Sequence, residues 1–251
     1  MKKWIALLLA VSWLASLSAC AGRYKLLNVP EELRLDTAAL SENMDDMMSI
    51  TDSTPLIAAL PDEGLYVYET DPTIVGGVLF KYDGIIQYFP WSFTPQIAEP
   101  EVFLSDYNGD GQTDIAFTYC DTASEIKHNE TLHVLLRGED GFTDCVYTWK
   151  SAAVDAKMGV VIDDNGDGTF TAHLNGRPDE DRTLDAAGLG TYMGLYSDDV
   201  QDFTLDETIT LTVRLGMVFS DTSLPVYDVF DFASEMQLVD GVLAPVNPMI
   251  V

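Results

Sequence analysis

Basic residues are scarce in this chain. Thirteen lysines and arginines face 41 aspartates and glutamates over 251 residues, a formal charge of −28. A surface so negative repels the phosphates of nucleic acid and the headgroups of anionic lipid, which excludes both as partners. It attracts cations and basic proteins; most of the acidity serves solubility. Histidine and cysteine are also scarce, at three each. His128, His133 and His173 form no His-x-x-x-His pattern. No Cys-x-x-Cys pair occurs, so neither a zinc ribbon nor a dithiol redox motif is supported. A Gly-x-Ser-x-Gly elbow and a Gly-Lys-Ser/Thr phosphate loop are missing too, so nothing in the sequence marks a catalytic centre. Carboxylate pairs are inevitable among 41 acids, and sequence spacing does not pick one out.

Long apolar runs are lacking except at the N-terminus. Lys2-Lys3 is followed by an apolar stretch from Trp4 to Leu17. It falls short of the ~20 residues of a spanning helix but suits an export signal. Leu17-Ser18-Ala19-Cys20 then resembles the lipobox of bacterial lipoproteins. The resemblance implies a leader over 1–19, cleavage before Cys20, and a diacylglycerol on its sulfur. A plain signal peptide or an uncleaved anchor is the alternative. The expected location is the exported side of a bacterial membrane, held there by lipid and not by a basic patch.

Residues 20–62 read as a tether and lead-in. Asp36-Thr37 suits the cap of a short helix with Leu40, Met44 and Met47 on one face, although the surrounding polar residues also suit a stalk. From 63 to 251 the pattern is that of one β domain. Asp83-Gly84 and Asp240-Gly241 each stand between strand-like runs, the strongest short hairpin signal. Glu139-Asp140-Gly141 and Asn175-Gly176 mark further turns. Thr208 to Leu215 alternates, with Ile209, Leu211, Val213 and Leu215 on one face. Long amphipathic helices are not evident; Ala152–Lys157 and Leu184–Leu189 suit a turn or two each. The fold class is all-β: a mostly antiparallel meander or sandwich, or a partial propeller, after a short N-terminal helix or stalk. Tyr82, Tyr88, Phe89 and Trp91 form an aromatic group that suits a β core better than a ligand platform.

Cys120 and Cys145 fall in strand-like runs. In an exported protein they are either a disulfide or two buried thiols.

Ser105 to Ile115 carries the clearest chemistry. Oxygen-bearing side chains stand at Asp106, Asn108, Asp110 and Asp114, positions 1, 3, 5 and 9 of a loop, and Gln112 offers a main-chain carbonyl at position 7. Calcium takes roughly six to eight oxygens at about 2.3–2.6 Å. Gly109 and Gly111 let the chain wrap. An EF-hand needs Glu at position 12, which here is Phe117, and helices on both sides, where this loop has strand-like residues. Asp-x-Asn-Gly-Asp-Gly-x-x-Asp followed by Ile115-Ala116-Phe117 is similar to the loop of FG-GAP/VCBS-type repeats. The resemblance implies calcium ligation by Asp106, Asn108, Asp110, Gln112 and Asp114. A second stretch, Asp163, Asn165 and Asp167, lacks the position-9 acid because residue 171 is threonine. It reads first as a hairpin turn and second as a weaker site.

The functional expectation is a lipid-anchored, noncatalytic binding or structural protein with a calcium-stabilised loop and a protein or glycan partner on the envelope. The rivals are a hydrolase of wall or extracellular polymer and an accessory subunit of an envelope complex.

Overall fold

The computed structural model describes residues 56–70, 77–91, 99–123, 127–175, 177–197, 200–222 and 225–251. The leader, Cys20 and the helix expected near Asp36 lie outside these residues. The described residues are mostly β and antiparallel, as the patterning indicates, and form no closed barrel among themselves. Of the forms anticipated, the meander and the sandwich are the ones built. No helix among the described residues is long and apolar enough to cross a membrane.

The first layer is a four-stranded meander: β1 (Leu56–Leu60), β2 (Leu65–Glu69), β3 (Val78–Tyr82) and β4 (Ile85–Phe89). Among the described residues the first strand starts at Leu56, inside the stretch read as tether. A short 3-10 turn, Pro61–Glu63, joins β1 to β2. Asp83 and Gly84 turn β3 into β4 with φ of +48° and +77°, the double left-handed conformation that the Asp-Gly pair allows.

The second layer is a nine-stranded sheet. One half holds β5 (Glu101–Ser105), β6 (Asp114–Ala123), β7 (His128–Arg137) and β8 (Phe142–Tyr147), all paired antiparallel. The other half holds β12 (Tyr192–Tyr196), β13 (Val200–Thr204), β14 (Thr210–Phe219), β15 (Val226–Val239) and β16 (Val242–Ile250). The halves meet where β13 runs parallel to β7, a seam with two register pairs, Val200 with His128 and Gln201 with Asn129. Asp240-Gly241 closes β15 onto β16 as the sequence indicates.

The third layer covers the opposite face. It consists of an α-helix, α1 (Trp149–Gly159), and a three-stranded sheet of β9 (Val160–Asp164), β10 (Thr169–Leu174) and β11 (Arg177–Asp185). Two expectations are corrected here. The stretch read as a turn or two near Ala152 is an 11-residue helix. Its inner face is alanine (Ala152, Ala153 and Ala156, all buried), so it lacks the large apolar stripe that announces a helix in sequence. Leu184 belongs to β11, and only a turn follows, closed by Leu189 N–H donating to the Ala186 carbonyl. A strand pairing with β10 outweighs the weak helical signal.

Alternation along β6 explains the sandwich. Ile115 and Phe117 point into one core with Leu65, Val67, Val78, Phe80, Phe89 and Trp91. Ala116, between them, faces the other core with Ala152, Leu174, Leu211 and Leu215. One strand thus serves two cores, the signature of a middle layer. The aromatic group divides in the same way. Phe89 and Trp91 stack in the first core, Tyr82 leans on Phe142, and Tyr88 lies on the meander's far face.

Tyr68 and Tyr119 are both buried, and burial pushes their hydroxyls up to about 12. Tyr66 adds to this for Tyr68, and the charge of Asp121 adds to it for Tyr119. The folded state therefore favours the neutral phenols. Their contribution is complete below the unfolded pKa of about 10 and is lost as pH rises through the folded value. Tyrosinate absorbance and far-UV circular dichroism should change together between about pH 10 and 12. Ionisation of every tyrosine near pH 10 with the fold intact would contradict this.

Candidate functional site

The 106–114 loop links β5 to β6, whose register pairs Ser105 with Asp114. Its tip is built by side chains that accept main-chain N–H groups. Asp106 Oδ1 accepts from Gly109 N at 2.8 Å and Asp110 N at 3.1 Å, and Oδ2 accepts from Gly111 N at 2.8 Å. Asn108 Oδ1 accepts from Asp110 N, and its amide donates to Asp110 Oδ2, both at 2.9 Å. Gly109 and Gly111 have φ of +74° and +84°, which the wrap demands and a side chain would penalise. Asp106, Asn108, Asp110 and Gln112 are exposed.

Asp114 differs from these: it is fully buried. Oδ2 accepts from Tyr107 N at 3.0 Å and Oδ1 from Arg137 N at 2.8 Å, so the carboxylate ties the loop to the end of β7. Burial pushes its carboxyl above the usual range, and the charge of Asp110 adds to that against the two N–H donors. Asp110 is held below the usual range by the N–H of Gln112 and the Asn108 amide. Tyr107 O–H donates to the Asp206 carbonyl at 3.0 Å and pins the loop's flank to the segment before β14. No ion pair among the described residues reaches Asp106, Asp110 or Asp114. Three acids crowded without a basic partner suit a hard cation, and the hydrogen-bonded tip holds the chain in the curved form such an ion needs. The three carboxylates are turned onto N–H groups, so ligation of one ion calls for a small rotation of each.

The second stretch is a hairpin turn between β9 and β10. Asp167 Oδ1 accepts from Thr169 N and Oγ1, the Asn165 amide reaches Thr169 and Thr171, and Asp163 lies 3.3 Å from His173 Nε2. Asp163, Asn165 and Asp167 are thus each engaged in strand-closing contacts, where turn chemistry alone explains their type.

Cys120 and Cys145 are thiols, not a disulfide. They sit on β6 and β8, on either side of β7, opposite Glu130 and Val134 respectively. That offset along and across the sheet exceeds disulfide reach.

His133 is a packing residue. It is buried between the rings of Trp91 and Tyr119, and its Nδ1 lies 2.9 Å from Asp144 Oδ1. Trp91 Nε1 donates to the same carboxylate at 2.9 Å.

His128 is the first residue of β7. Its Nε2 is 2.9 Å from Glu130 Oε1 and 3.3 Å from Asp202 Oδ1. Among the described residues this is the one group of three His, Cys, Asp or Glu side chains whose ligand atoms lie within 4.8 Å of one another. Burial pushes the carboxyls of both Glu130 and Asp202 upward, against the favourable charge of His128. The His128-x-Glu130 spacing, read on a strand, places both on one face, and that signal was available in the sequence. Asp202 joins only through the parallel pairing of β13 with β7, which no local pattern announces.

Comparison with protein-family models, curated proteins and solved structures returned no match.

Proposed function

We propose that this chain is an exported, lipid-anchored β protein of noncatalytic binding or structural role, whose β5–β6 loop is clamped by calcium. The observation that carries the ion reading is the loop itself. Asp106, Asn108, Asp110 and Asp114 gather around a glycine-bearing wrap, and no basic side chain among the described residues is paired to them. Asp106, Asn108 and Asp110 would supply side-chain oxygens, Gln112 its carbonyl, and Asp114 an oxygen from the buried side. Calcium there would neutralise a concentrated negative charge and fix the loop against β7. The ion supplies charge and geometry, not chemistry. The strongly acidic surface and the lipid on Cys20 fit a protein displayed in a calcium-bearing medium, and extracellular modules bind calcium at about 10⁻⁴–10⁻³ M.

The test is thermal unfolding of the full chain in detergent, with chelator or with calcium. At a hundredfold excess over Kd, binding adds ~2.7 kcal/mol. For a chain of this size that is a rise in Tm of roughly 5–10 °C. The pair Asp106→Ala and Asp110→Ala should remove the rise while leaving the chelated protein's Tm nearly unchanged. Equal melting of the parent protein in both conditions would end the calcium reading. The anchor is tested separately: Cys20→Ala should move the protein from the membrane to the soluble fraction, and retention would indicate an uncleaved N-terminal segment.

A further inference from the structure

We infer that His128, Glu130 and Asp202 form a second cation site, of a different class, for a divalent first-row metal such as zinc, placed where β7 meets β13. The register builds it. Val200 pairs with His128 and Gln201 with Asn129, so Asp202 stands level with Glu130. Strand alternation puts all three side chains on one face.

The local hydrogen count is unsatisfied without a cation. Nε2 of a neutral imidazole carries at most one hydrogen, yet two carboxylate oxygens face it, at 2.9 and 3.3 Å. Asp202 Oδ1 is shielded from water and has no hydrogen-bond partner. A dication in place of that hydrogen satisfies both oxygens and the nitrogen together. With metal–ligand bonds of about 2.0–2.2 Å, the edges of a four- to six-coordinate shell run ~3–3.5 Å, matching the spacing observed.

The ligands are held from behind. Glu130 Oε2 accepts from Phe203 N at 2.8 Å, leaving Oε1 for the ion. On the far side of the ring, His128 Nδ1 is 3.9 Å from Cys120 Sγ, on the strand facing Glu130, which favours Nε2 as the free ligand nitrogen. The His128 and Asp202 side chains are 38% and 45% exposed, so an ion can enter and a water can complete its shell. One imidazole with two carboxylates is too hard a set for copper(I) and carries a nitrogen that calcium does not seek; zinc suits it. The ion would rivet a seam that otherwise rests on two register pairs.

The experiment uses the full chain in detergent, stripped with chelator and returned to millimolar calcium so that the 106–114 loop is served. Zinc is titrated by calorimetry and cobalt(II) by absorption. One ion per chain should bind, with nitrogen–oxygen d–d bands and no thiolate charge-transfer band. His128→Ala and Asp202→Asn should each weaken binding about tenfold or more, and Asp106→Ala should leave it unchanged. Should His128→Ala lose its far-UV dichroism, His128→Gln and the parent cobalt spectrum decide. An absence of binding would overturn the site, leaving a histidine–carboxylate ion triad only. So would unchanged affinity in both variants, or binding abolished by Cys145→Ser alone.

Discussion

Phe117→Ala is expected to cost about 3–5 kcal/mol, the largest loss at any single position considered. The ring has no solvent exposure and stands where the meander meets the middle sheet. It lies edge-on to Phe80 with centroids 5.3 Å apart, stacks on Trp91 at 5.7 Å, and touches Tyr119 at 6.1 Å. Truncation removes apolar burial and also opens a cavity lined by rigid rings, which collapse poorly into it. Aromatic pairs of this kind are worth ~0.5–1.5 kcal/mol beyond their area, so losing three of them adds to the cost. Urea unfolding should show the midpoint falling with the slope nearly unchanged. Met193→Ala is the control: that side chain is 67% exposed, and the change should stay within about 0.5 kcal/mol. A loss below ~1 kcal/mol at Phe117 would mean that the two layers are not packed through this ring.

Asp114→Ala is expected to cost about 2–4 kcal/mol, from two part-buried N–H groups left unpaired around a buried site. The donors are Tyr107 within the loop and Arg137 at the end of β7, so the variant loses both the bond that closes the loop on itself and the bond that ties it to β7. Asp114→Asn keeps one acceptor oxygen and turns an amide N–H₂ towards the other donor; its cost should be smaller. Both variants should lose the calcium-dependent rise in Tm, because each removes the buried negative charge. The pairing of readouts separates two roles. Full calcium response in Asp114→Asn would make Asp114 a structural tie alone, while equal stability of Asp114→Ala and parent would deny the tie. Asp106→Ala differs in kind, since its contacts are on the exposed tip and its effect should appear mainly with calcium present.

The parts of the fold that the sequence announced are those written within a few residues. Asp83-Gly84 and Asp240-Gly241 each carry their own conformational requirement, and each forms a hairpin. Thr208 to Leu215 alternates because one face meets a core and the other does not, and the buried side is Ile209, Leu211, Val213 and Leu215. The 106–114 loop was legible for the same reason, as was the turn character of Asp163 to Thr171. Features requiring a distant partner were not legible. The alanines of α1 carry little apolar signal by themselves; they matter because small side chains let the helix lie close to the sheet. Leu56 to Leu60 is too short to stand out until β2 is paired beside it. The neighbours that His128 meets on β13 arrive from far along the chain, so no local pattern groups them. The separation of Cys120 from Cys145 is likewise a matter of register, which cysteine counting does not contain.

The parallel seam also bears on the order in which the chain assembles. Within each half of the large sheet, successive strands are joined by turns or short loops, so their pairing closes little chain and is entropically cheap. The contact of Val200 and Gln201 with His128 and Asn129 is another matter, because it must close β8, α1, the β9–β11 sheet and β12 into one long loop, for two register pairs and the Phe203 N–H bond to Glu130 in return. Such a closure belongs late on the folding route, after both halves have formed and the helix has found its face. The two halves share one hydrophobic core beneath that seam, so the closure is held by side-chain packing as well as by its register pairs.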